Sequence, residues 1–151
     1  MTAKEYLRQV GIMDRKINLD LRRLEELRNL SMRISGGGFE QSFNPNKATE
    51  APFVKSMDRI IDLERKITEE IDAYVDFKET ALGMIRKVPD FDQRELLEMR
   101  YVGQMSWEEI SARSGRSLRS VYRVHGMALL SFASVLAADT EKNSELGSQW
   151  Q

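Results

Sequence analysis

Three consecutive glycines, Gly36-Gly37-Gly38, separate two long stretches of this chain whose apolar residues recur at helical spacing. From about Thr2 to Ser35, Tyr6, Val10, Met13, Ile17, Leu24, Leu27 and Ile34 step by three and four, and Leu21 and Leu30 widen the stripe. That pattern predicts one long amphipathic helix, although Asp20 and Ser31 interrupt the strict seam. Successive glycines lose the most backbone entropy on ordering and readily leave the right-handed region, so the helix is expected to end at them. A second helix is expected from about Ser56 to Val88, with Met57, Ile60, Ile67, Ile71, Tyr74, Ala81, Ile85 and Val88 on the seam and Glu64 and Lys78 off it. Between them, residues 36–52 mix Gly, Asn, Ser and two prolines around Phe39 and Phe43, which reads as a connecting loop.

Neither helix can hide its stripe alone. Joined by one loop they can pair antiparallel, as a hairpin of roughly 45–50 Å at ~1.5 Å per residue, or close a homo-oligomer through the same stripes. Pro89 stops the second helix and pushes Val88 towards extended geometry, so a domain boundary is expected at Asp90. The 16 basic and 16 acidic residues up to that point balance. An evenly charged hairpin over 1–90 suits partner contact better than nucleic acid. A second domain is expected over 91–138, and the polar 139–151, which contains Trp150, is expected as a flexible tail. The expected fold class is all-α.

Function classes fall away quickly. Without cysteine the chain has no disulfides, thiolate catalysis or cysteine-based zinc site. It carries no G-x-x-x-x-G-K-[ST], no HExxH and no nucleophile paired with histidine, so no enzyme, cofactor or metal site is expected. With no signal-like N-terminus and no segment read as apolar over ~18 residues, the expectation is a cytoplasmic protein without membrane contact. His125, the lone histidine, is expected as a packing residue with no partner in reach. Gly126, which costs ~1 kcal/mol against alanine inside a helix, is expected to admit a neighbouring helix.

The remaining signal lies at the C-terminal end. Asp92 with Glu95 three residues on reads as a capping box opening a short helix through Leu96, Leu97, Met99 and Tyr101, ended by Gly103. Ser106 and Glu109 form a second capping box, with Trp107, Ile110 and Ala112 anchoring that helix. Gly115 supplies a left-handed turn, and Ser117 starts the last helix. There Leu118, Val121, Val124 or His125, Ala128, Leu129 and Phe132 face the core, leaving Arg119, Ser120, Tyr122 and Arg123 towards solvent. Between Glu109 and Asp139 no acidic residue occurs, yet Arg113, Arg116, Arg119 and Arg123 do. Two short helices about a glycine turn, the second basic at its start, make a helix-turn-helix suited to the major groove of double-stranded DNA.

The stretch ELLEMRYVGQMSWEEISARSGRSLRSVYRVHGMALLSF, Glu95 to Phe132, resembles region 4 of housekeeping-type sigma factors. With MTAKEYLRQV opening the chain and RIIDLERKITEEID in its second helix, the whole is similar to phage and prophage late-gene activators of the ArpU and RinA kind. The resemblance implies a transcriptional regulator, an activator by analogy, that contacts promoter DNA and RNA polymerase. It implies that Ser117, Arg119, Ser120 and Arg123 face DNA, with Arg116 and Tyr122 on the backbone. Nothing ahead of Asp92 fits the other sigma regions, so a partial, region 4-like regulator is the expectation. A small terminase-like packaging protein and a helical adaptor that binds only protein are the alternatives.

Overall fold

A computed structural model describes residues 1–36 and 50–148. Among them there is no strand: α1 (Ala3–Gly36), α2 (Glu50–Ile85), α3 (Phe91–Leu97), a π-helical turn (Glu98–Val102), α4 (Trp107–Ser114) and α5 (Leu118–Ser148) follow in order. Over the described residues the chain is all-helical. Most of the loop expected over 36–52, with Phe39 and Phe43, lies outside the described residues, as does Trp150; α2 begins at Glu50, ahead of the expected Ser56.

The chain divides into two compact units, residues 1–12 with 74–151 and residues 13–73. The expected boundary at Asp90 therefore falls inside the first unit. The cause is packing that seam spacing does not reveal. Ala3 and Leu7 of α1 and Met84, Ile85 and Val88 at the end of α2 share one core with Leu97, Tyr101, Ala128 and Phe132. Tyr6 packs with Phe77 and Phe132 at ring separations of 5.0 and 6.0 Å. A reciprocal capping box starts α1: Glu5 N–H donates to Thr2 Oγ1 and Thr2 N–H to Glu5 Oε2. Hydrogen bonding to the carboxylate from the Thr2 backbone N–H first, then from its side chain, holds the Glu5 carboxyl below its ordinary range.

Also in this unit, α3 is capped two residues before the expected cap. Asp90, in extended geometry, accepts from Gln93 N–H at 3.0 Å, so Asp90 is the N-cap and Asp92 belongs to the first turn. The earlier start buries Gln93, whose Oε1 accepts from Ser131 Oγ at 2.6 Å. After Leu97 the helix widens into the π turn and closes with Gly103 N–H donating to Glu98 O at 2.8 Å. A side chain at Gly103 would meet Met99 O at 2.9 Å, which explains the glycine.

The C-terminal segment differs from the expected tail. Helix α5 continues through Asp139 to Ser148. Lys87 reaches Asp139 at 3.2 Å, and the hydroxyls of Thr140, Ser144 and Ser148 donate back to carbonyls of their own helix. Extending an existing helix avoids the nucleation penalty, so polar residues continue it without a stripe of their own. A further correction concerns hydropathy: α5 is long and apolar enough to cross a membrane, its richest 18-residue window having mean hydropathy 1.4. Alanine, leucine and valine outweigh Arg123 and His125 in that average. Within the unit, Val121, Val124, Ala128 and Phe132 of this helix are buried against other helices.

In the second unit, segments of α1 and α2 run antiparallel, because their pairings descend along α2: Lys16 with Glu70, Asp20 with Lys66, Arg28 with Glu64, Ser31 with Met57. Its core is small: Leu24, Ile60, Leu63 and Ile67, flanked by Leu27. The interruptions at Asp20 and Ser31 lie on the buried seam, 5% and 6% exposed, whereas Leu21, Leu30 and Ile34 are turned outward.

Candidate nucleic-acid interface

The part of the first unit that carries the arginines is built on local signals. Ser106 Oγ accepts from Glu109 N–H and Glu109 Oε2 accepts from Ser106 N–H, each at 3.1 Å, a complete capping box on α4. Gly115 ends α4 at φ 68°, in the left-handed region that glycine occupies without penalty. Ser111 Oγ donates to Arg116 O across that turn at 2.5 Å. Ser117 Oγ then accepts from Ser120 N–H at 3.2 Å and starts α5. Ile110 of α4 packs with Leu96, Val121 and Val124, so the angle between α4 and α5 is held by a dry contact.

Around this core the implied contact residues separate into two groups. Ser117, Arg119, Tyr122 and Arg123 are exposed, as is Arg113 at the end of α4; Arg119 and Arg123 lie one turn apart on α5. Ser120 is half-buried and its N–H is taken by the cap. Arg116 is engaged: its guanidinium pairs with Asp92 at 2.7 Å, which orients it from outside its own turn. Tyr122 meets Trp107 edge-on at 5.2 Å, so its ring is braced while 49% of the residue stays exposed. Leu118, expected in the core, is 39% exposed, and Leu129 is half-buried.

Beneath them lies an aromatic stack. Arg100 sits over the Trp107 ring at 4.2 Å and donates to Met105 O at 2.8 Å. Trp107 also meets the His125 ring at 4.7 Å. His125 has a partner after all: Tyr101 Oη and His125 Nε2 are hydrogen-bonded at 2.7 Å. Twenty-four residues separate them in sequence, so no local motif announces the pair. Burial first, then Lys4 and Arg100, lowers the His125 pKa from 6.5 to about 4, which makes it a neutral packing group. Burial raises the Tyr101 pKa, against the pull of Arg100 and Arg8, and keeps the phenol protonated.

Close approach is absent at Gly126, where it was expected, and present at Gly11. A methyl at Gly126 would meet nothing within 4 Å, so no neighbouring helix approaches there. At Gly11 it would meet the Gln104 amide at 2.7 Å. Gln104 sits at φ 55° and donates to Tyr101 O, and the bare backbone of Gly11 leaves room for its side chain. Arg100, Tyr101 and Gln104 were not singled out in the sequence as parts of this site; Arg100 and Tyr101 appeared there only within the first short helix of the sigma region 4-like stretch, and Gln104 not at all.

Among the described residues no group of three or more His, Cys, Asp or Glu is arranged to hold a metal ion. No family model, curated protein or solved structure matches this chain.

Proposed function

We propose that this chain binds double-stranded DNA through the first turns of α5 and regulates transcription. In this reading α4, the Gly115 turn and α5 are a helix-turn-helix of the sigma region 4 kind, α5 is the recognition helix, and the paired α1 and α2 form the hairpin that carries it. The observation that supports it best is the exposed pair Arg119 and Arg123 at the start of α5, in a stretch without any acidic residue from 110 to 138. Exposed guanidiniums at the head of a helix suit bidentate bonding to guanine O6 and N7, while Ser117 and Arg116 suit the phosphates. The resemblance to phage late-gene activators adds regulation, and RNA polymerase as a further partner, to what is otherwise a DNA-binding proposal.

Selection of duplexes from a random pool, followed by anisotropy titration over a range of salt, tests it. Arg119→Ala and Arg123→Ala should each cost ~1–3 kcal/mol on the selected duplex, and Arg116→Ala should lower the salt slope by about one. Affinity indifferent to all three substitutions would sink the reading, and an absence of binding even at low salt would favour a protein-only adaptor.

A further inference from the structure

The second unit carries a second apolar seam that its own two helices do not cover. The Arg28–Glu64 bridge, at 2.6 Å, marks one side of the antiparallel pair. Residues seven away from either partner lie beside it, while those three before or four after it fall on one flank and those four before or three after on the other, along a helix of 3.6 residues per turn. On α1 this places Leu21 beside the bridge; on α2 it places Met57, Ile61, Thr68 and Ile71 there, with Val54 one heptad before Ile61. The buried seam of α2, Ile60, Leu63 and Ile67, points elsewhere by about a quarter turn. All five apolar residues of the outer stripe are open: Leu21 43%, Val54 51%, Met57 37%, Ile61 47% and Ile71 40% exposed. A helix with two apolar seams at such an angle is what a four-helix bundle uses at each corner.

We infer that this face is the contact between two copies of the chain, which pair their second units into a four-helix bundle. Its extent favours a second copy: partial exposure of these side chains leaves roughly 400 Å² of apolar surface per copy, near the apolar share of a ~800 Å² half-interface at the size of stable complexes. A cluster of four buried apolar residues, with Ile17 buried apart from it, gives the isolated pair little to hold it, and a dimer supplies the missing layer.

The test uses the full chain, whose lack of cysteine allows single labels. Sedimentation velocity from low to high micromolar concentration should show a monomer–dimer equilibrium, and Ile61→Glu should weaken it at least tenfold with unchanged helical circular dichroism. Leu19, 62% exposed and on a different face of α1, is the control: Leu19→Glu should leave the dimer intact. Should Ile61→Glu unfold the chain, pyrene attached to Ile61→Cys replaces it, with excimer emission expected there and none from Leu19→Cys. A monomer at every concentration, a particle larger than a dimer, or dissociation by Leu19→Glu with Ile61→Glu silent would overturn the inference.

Discussion

The two units solve the same problem, hiding helical stripes, with opposite chemistry. The first closes two cores over aromatic and aliphatic side chains and buries its one histidine in the neutral form. The second has five buried apolar residues, Ile17, Leu24, Ile60, Leu63 and Ile67, and also buries carboxylates: Asp20 is 5% exposed, and both Glu70 oxygens are buried without a hydrogen-bond donor. Desolvation first, then the neighbouring Asp20 carboxyl, raises the Glu70 pKa, against Lys16 and Lys66. Apolar burial tolerates any pH; the polar inserts give each unit its own response to protons.

The largest expected difference is in core truncation. Phe132→Ala, at a fully buried ring, should cost ~3–5 kcal/mol, while Leu24→Ala in the second unit should fall at or below the ~2–5 kcal/mol range for leucine because its surroundings can collapse. Denaturant titration of both variants checks the order; equal costs would erase the distinction.

Acid and base should then act on the units in opposite senses. The folded pKa of His125 is depressed, so between 6.5 and about 4 the unfolded chain binds more protons, and the first unit loses stability as pH falls through that window. The folded pKa of Glu70 is raised above 4.5, so the folded chain holds the extra proton, and the second unit loses stability as pH rises from 4.5 through the raised value. Amide exchange resolved by residue, with EX2 behaviour established at pH 4.5 and 7, reads both slopes. Glu70→Gln should flatten the second slope and leave the first. Parallel slopes in both units would contradict this account.

A smaller effect tests the local signals of the first unit. Ser106→Ala removes a capping-box acceptor and should cost ~1 kcal/mol by thermal or denaturant unfolding. The smallest has the opposite sign: Gly126→Ala, with open space around the added methyl and a helical backbone, should stabilise by up to ~1 kcal/mol. A loss there would mean an unseen neighbour.

These two positions also show what was legible beforehand. Ser106, Glu109, Gly115 and Ser117 could be read because caps and left-handed turns involve residues three or four apart. The α3 start was misread because Asp90 with Gln93 and Asp92 with Glu95 present the same pattern two residues apart, and burial of Gln93 against Ser131 decides between them. Tyr101 with His125, and Arg116 with Asp92, join residues 24 positions apart, beyond any periodicity. The buried Asp20 was visible only as an interruption of the stripe. Its lysine partner, Lys66 at 3.6 Å, belongs to the other helix. Of the candidate interface, the exposed arginines followed from the amphipathic pattern of α5, whereas the brace beneath Tyr122 did not.

The stack beneath that interface gives the chain an internal optical gauge. Trp107 touches both the guanidinium of Arg100 and the imidazole of His125, and the only other indole is Trp150. A protonated imidazole quenches indole emission where a neutral one does so weakly. In a chain carrying Trp150→Phe, fluorescence would therefore report the charge state of one ring, and movement of Tyr122 against the indole edge would register in the same signal.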